Sequence, residues 1–330
     1  MNVFWLGLML VFAGGAMQGS FILPQKYMRG WAWEQGWLLY SIAAMIFFPW
    51  LLVTLLVPEP GMVYANVGAG VVTRTALFGA GWGVGSVLFG LGVSRVGMAL
   101  GFAIIISLTA AVGSVVPMAI QQPEKLASTQ GLMLMSGLAA VIAGIVLCAK
   151  AGSLKETATR GQGYTRGLAI CVASGIASPM MNFAFSFGRP IQEEAARLGA
   201  GPAVASIAIF AVAISAGFFL NGGYCLYLLR RNRSWQTTPP GARYTLYALV
   251  MGFLWLFGMF FYGVGASQLG ESGASVGWAL FMTVMVLVAN FWGLVTGEWK
   301  GAPRQSFGYL GAGLAVMIAA LVIIATGARA

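Results

Sequence analysis

Ten stretches of this 330-residue chain carry almost no charge, at about 2–23, 33–57, 73–93, 97–119, 131–150, 165–187, 202–229, 244–266, 273–297 and 305–327. No other feature narrows the fold so far. A bilayer core takes about 20 apolar residues of helix to cross, and within it every backbone N–H and C=O must find its partner inside the protein. Only helices and closed barrels satisfy that demand. The runs are continuous rather than short and alternating, which selects helices. Composition agrees: 59% of residues are hydrophobic and 8% charged, against roughly 25% charged in a soluble domain. The chain reads as an all-α integral membrane protein with ten transmembrane helices. The first run has no basic leader and has a counterpart in mid-chain, so it reads as a mature helix and not as a signal peptide.

That counterpart is part of a longer pattern. "WGVGSVLFGLGVSRVG" (82–97) and "WLFGMFFYGVGASQLG" (255–270) agree at Trp82/Trp255, Gly85/Gly258, Gly90/Gly263, Gly92/Gly265, Ser94/Ser267 and Gly97/Gly270, a shift of 173. "GLMLVFAGGA" (7–16) matches "GLAICVASGI" (167–176) at a shift of 160, and "GLAAVIAGIVLCA" (137–149) matches "GLAVMIAALVIIA" (313–325) at 176. Matches in one order with growing shifts describe a duplicated unit whose second copy has longer loops. The expected division is residues 1–150, a linker at 151–164, and residues 165–330. Each copy holds five helices. Five is odd, so the second copy enters from the opposite face, and the fold expected is two inverted five-helix repeats. Inverted repeats with a site at their interface are a recurrent transporter plan, because two like halves can open alternately to each side.

Charge sets an expected orientation. By loop parity the N-terminal face carries Arg74, Lys125, Arg189, Arg197 and Arg329, and the opposite face carries the other thirteen Lys and Arg residues. The richer face is expected to be cytoplasmic, with both termini periplasmic in a bacterial inner membrane. The net charge of +10 then points to anionic lipid headgroups, not nucleic acid.

Absences narrow the chemistry. The sequence has no His and no Asp, which removes Ser-His-Asp hydrolysis, His-based metal sites and aspartyl dyads. No phosphate-loop motif occurs. Cys148, Cys171 and Cys225 lie in separate helices without a pairing pattern and read as packing thiols. Neither an enzyme nor a cofactor is indicated. An intramembrane enzyme would need a titratable pair inside the bilayer, and a scaffold would not need polar groups converging near mid-membrane.

Such polar groups are present. Gln18 and Ser20 lie in the first helix, and Ser178, at Gln18's repeat position, lies in the sixth with Asn182 one turn on. Pro179 breaks that helix and frees carbonyls toward a cavity. Trp82 and Trp255, paired by the repeat, could floor a pocket, since an indole face suits the C–H surface of a sugar; each could equally be a packing residue or an interface anchor. Ser86 and Tyr262 are further candidates, as are Ser107, Thr283 and Asn290. Most glycines of the repeated phrase read as close-packing positions.

One stretch carries a family resemblance. "FILPQKYMRGWAWEQGW" (21–37) sets Phe21, Pro24, Lys26, Trp31, Trp33, Glu34 and Trp37 in a pattern that resembles the L-rhamnose–proton symporter family of the drug/metabolite transporter superfamily. "WGVGSVLFGLGVSRVGMALG", "AGSLKE", "FFYGVG" and "GLVTGEW" follow in the same order. The resemblance implies proton-driven uptake of L-rhamnose or a similar sugar. The alternative is a superfamily exporter or facilitator of small metabolites. Proton coupling must then rest on the chain's eight Glu residues. Glu34, which opens the second helix among tryptophans, and Glu271 are the candidates.

Overall fold

The computed structural model describes residues 3–96, 98–155, 164–201, 204–236 and 241–328, and the described residues are helical with no strand. Ten helical segments are long and apolar enough to cross a membrane: Val3–Tyr27, Trp33–Leu56, Ala69–Val93, Gly101–Gln121, Thr129–Leu154, Thr165–Arg197, Ile207–Arg231, Ala242–Gln268, Gly273–Val295 and Arg304–Gly327. They are the first to tenth spans below. All ten expected runs are found. The fifth helix continues to Lys155, so the expected linker begins as helix, and its part at 156–163 lies outside the described residues.

Prolines shape three spans, each by removing one N–H from the i→i−4 ladder. In the second, a π-turn at Ala43–Phe47 precedes Pro49. The freed Met45 carbonyl accepts from Ser215 Oγ of the seventh span (3.2 Å), and that hydroxyl accepts from Trp50 Nε1 (2.8 Å). In the fourth, Pro117 frees the Gly113 carbonyl, which accepts from Asn182 Nδ2 (2.8 Å). In the sixth, the helix Tyr164–Ala177 stops at Ser178–Pro179 and resumes at Met180–Phe187, the break expected at that proline.

The first span packs on the eighth and ninth, and the sixth on the third and fourth. The second packs on the eighth, the seventh on the third, and the second and seventh meet each other. The fourth meets the ninth, and the fifth and tenth form a close pair, joined to the rest through the fourth and ninth. Exchanging every span with the one five places away turns this set of pairs into itself. The correspondence extends to single residues. A Cβ at Gly258 would lie 3.0 Å from the Gly14 carbonyl oxygen and 3.3 Å from the Gln18 nitrogen, and one at its repeat-mate Gly85 2.7 Å from the nitrogen of Ser178, the repeat-mate of Gln18. Only glycine admits backbones this close. Likewise Gly137 faces Ile324, and its repeat-mate Gly313 faces Cys148, the repeat-mate of Ile324.

Candidate functional site

The two repeated tryptophans meet at mid-span. Trp82 of the third span and Trp255 of the eighth have ring centroids 5.3 Å apart at 36°. Trp82 lies over Gly217 of the seventh span, where a Cβ would come within 2.6 Å of the ring. Gln18 reaches the same place from the first span. With its amide oxygen toward the indole, Gln18 accepts from Trp255 Nε1 (2.8 Å) and donates to the Trp255 carbonyl (3.2 Å); this orientation satisfies both groups. Tyr40 stands edge-on to Trp255 (6.5 Å, 83°), and Trp37 and Trp33 extend the aromatic row toward the opposite face at 4.9 Å steps. Asn221 of the seventh span accepts from Trp37 Nε1 (3.3 Å) and donates to Ser41 Oγ (3.4 Å). Ser178 is half-buried at the break of the sixth span beside Gly85, and Ser86 is half-buried one residue on from that glycine. Aromatic faces with an amide between them suit a small ring bearing hydroxyls on its edge and C–H groups on its face.

Asn182 and Tyr262 form a separate cluster nearer the N-terminal face. Both are fully buried. Asn182 donates to the Gly113 carbonyl (2.8 Å) and the Ala274 carbonyl (3.0 Å), and its oxygen accepts from the Tyr262 hydroxyl. These bonds occupy both donors of the amide and join four spans. Trp278 stands edge-on to Tyr262 (5.4 Å, 71°) and donates to the Thr109 carbonyl (3.0 Å). Ser20 is held elsewhere. Its hydroxyl donates to the Ala16 carbonyl (2.7 Å) and accepts from Trp292 Nε1 (2.7 Å). Thr283 and Asn290 bond to carbonyls of their own helix, and Ser107 has a buried hydroxyl with no partner.

The two carboxylate candidates differ in setting. Glu34 is 5% exposed. It accepts from Ser234 Oγ and from Asn232 Nδ2 (3.0 Å), both just beyond the seventh span. Gln35 braces the same junction by donating to the Ser234 carbonyl (2.9 Å). Glu271 pairs with Lys125 (3.3 Å) with its side chain 73% exposed. Among the described residues no cluster of ligating side chains could hold a metal ion.

Tyr40, Asn221 and Trp278 were not reached from sequence. Trp278 had one available signal, since the fifth/tenth shift of 176 sets it opposite Phe102. Asn221 and Tyr40 had none, because they meet their partners only through packing of the second span on the seventh. A groove of about 630 Å3 between the first and tenth spans, lined by Trp5, Leu8, Phe12, Ile318, Leu321, Val322, Ala325 and Thr326, is large enough for a ligand. Its polar groups are few: the Trp5 indole N–H and the Thr326 hydroxyl, which donates to the Val322 carbonyl (2.7 Å). It offers the several hydroxyls of a sugar few partners.

Comparisons with known proteins bear on the same chain-wide pattern. The family model described as L-rhamnose-proton symport protein (RhaT) matches residues 1–330. An L-rhamnose-proton symporter of Mannheimia succiniciproducens is 31% identical over 335 residues, covering 98% of this chain and 97% of the relative. One of Citrobacter koseri is 30% identical over 342 residues, covering 99% and 98%. A crystal structure with 14% sequence identity superposes with a TM-score of 0.62 over 98% of this chain and 97% of its own, a likeness of fold. With a ten-span helical body and a family match reaching both ends, the chain belongs to the L-rhamnose-proton symport protein family.

Proposed function

We propose that the protein carries L-rhamnose or a closely similar sugar into the cell together with protons, by alternating access at one site between two inverted five-helix halves. One observation carries this reading: Gln18 and Trp255 from one set of packed spans meet Trp82 from the other. The residue-by-residue exchange of packing partners between residues 1–150 and 165–330 supports the inverted halves. A family of symporters named for L-rhamnose supports the substrate.

The binding residues are Gln18, Trp82 and Trp255, with Ser86 and Ser178 on the adjoining wall. The indoles cover the C–H face of the sugar, and the Gln18 amide, exchanging its bond to Trp255 for a sugar hydroxyl, fixes the ring. Asn182, Tyr262 and Ser20 are tied to protein partners and frame the site without lining it. Glu34 is the coupling group. A carboxylate out of water, held by donors from the segment that follows another span, changes its affinity for a proton when those donors move. Glu271, exposed and paired with Lys125, is not assigned that part. The basic face lies in the cytoplasm against anionic headgroups.

A thermal-shift series on the purified protein tests the substrate class, since a ligand selective for the folded state raises Tm. L-rhamnose and related deoxysugars should raise it and amphiphilic cations should not. The reverse pattern identifies an exporter of apolar metabolites.

A further inference from the structure

The two copies diverge in the cluster around Asn182. Asn182, Tyr262 and Trp278 correspond, at the shifts of 160, 173 and 176, to Ile22, Phe89 and Phe102. The edge-on pair Tyr262–Trp278 has its twin in Phe89–Phe102 (5.0 Å, 81°). The third members part company. Asn182 is sealed between its pair and the fourth span, whereas Ile22 is 47% exposed and Phe102 37%.

The spans around the candidate site form two groups, the first with the eighth and ninth, and the sixth with the third and fourth. Near the N-terminal face, hydrogen bonds cross from one group to the other: Tyr262 Oη to Asn182 Oδ1, Asn182 Nδ2 to the Ala274 carbonyl, and Trp278 Nε1 to the Thr109 carbonyl. Farther out on that face Ser272 Oγ donates to Gln122 Oε1 (2.7 Å), and Gln192 Nε2 donates to Ser267 Oγ (3.1 Å). Pro117 supplies part of this seam, because the Gly113 carbonyl it frees is the one Asn182 takes. At the opposite face the corresponding residues are Ile22, Phe89, Phe102 and, for Pro117, Gly293. None of those side chains can form a hydrogen bond.

We infer that Asn182 is the latch of a gate at the N-terminal face, that this structure has that gate shut and the opposite face open, and that Ile22 closing on Phe89 and Phe102 is the reciprocal gate. The inference rests on the alternating-access reading above and adds a bias. With hydrogen bonds on one gate and apolar contact alone on the other, the unloaded protein rests with its N-terminal gate shut.

Cysteine reactivity tests this without any sugar, so its failure is separate from failure of the substrate assignment. Cys148, Cys171 and Cys225 are first replaced by Ala. Reporters are then Ser186→Cys, one turn beyond Asn182, 3% exposed and with an unpartnered hydroxyl, and Ile22→Cys. In detergent a hydrophilic maleimide should label position 22 quickly and position 186 slowly. Adding Tyr262→Phe removes one latch bond and should raise the rate at 186 about fivefold, while lowering the rate at 22. Should Tyr262→Phe prove unstable, Trp278→Phe serves, because it removes the bond to the Thr109 carbonyl across the same seam. Fast labelling at 186 before the latch is weakened, no rise after it, or a rise at 186 without a fall at 22 overturns the latch. The last outcome would mark Asn182 as a local packing group only.

Discussion

At the scale of single residues, the proposed site separates groups that bind from groups that hold. Gln18 spends its amide on Trp255 alone, whereas Asn182 spends its amide on three partners in three other spans. Gln18→Ala should therefore weaken sugar binding by about 1–3 kcal/mol, measured by calorimetric titration. Normal affinity in that variant would move the site away from the tryptophan pair. Glu34→Gln keeps the acceptor for Ser234 and removes the titration. It should still exchange labelled sugar across a vesicle membrane but lose accumulation driven by a pH gradient. Accumulation that survives in both Glu34→Gln and Glu271→Gln would end carboxylate coupling at these positions. Glu34 could be named from sequence because it stands among tryptophans with no charge run around it. Its burial could not be read, because Ser234 and Asn232 lie about 200 residues away.

At the scale of elements, most of the architecture was written in the chain. Uncharged runs of bilayer length leave helices as the only open solution, and the repeated Trp-Gly phrase marked the two spans whose indoles meet. Proline marked the break in the sixth span correctly. What proline does not show is who receives the carbonyl it frees, and here the receivers are Ser215 for Met45 and Asn182 for Gly113, each on a different span. Ser215→Ala should leave the Met45 carbonyl without its donor in the π-turn and cost about 1–3 kcal/mol of stability, read as a lower Tm. No change in Tm would mean that water or a neighbouring group already serves that carbonyl. Gly85→Val should cost about as much by overpacking, since the Ser178 backbone already lies against that position.

At the scale of the whole molecule, Gly301, exposed between the ninth and tenth spans, tests orientation. A Gly301→Cys variant in the cysteine-free background should react with an impermeant reagent in inverted vesicles and not in intact cells; labelling from outside intact cells would reverse the assigned faces. The fifth–tenth pair has a mechanical consequence. It ties the fourth span to the ninth along one flank, and the second–seventh pair ties the eighth to the third along the other. In the alternating-access reading proposed above, two such straps are the hinge pins at the ends of a common axle. Bodies pinned at both ends cannot slide or drift apart in the plane of the bilayer, so one rotation is the freedom left to them, and each degree gained at one mouth is lost at the other. A pin can be welded without stopping the turn. In the native chain a Cβ at Gly313 would lie 2.7 Å from Cys148 Sγ and 2.7 Å from the Gly144 carbonyl oxygen, so Gly313→Cys tightens the pair by overpacking and sets its thiol within reach of Cys148 for a disulfide. The oxidised variant should exchange sugar as fast as the same variant reduced, and arrest on oxidation alone would show that the axle lies somewhere else.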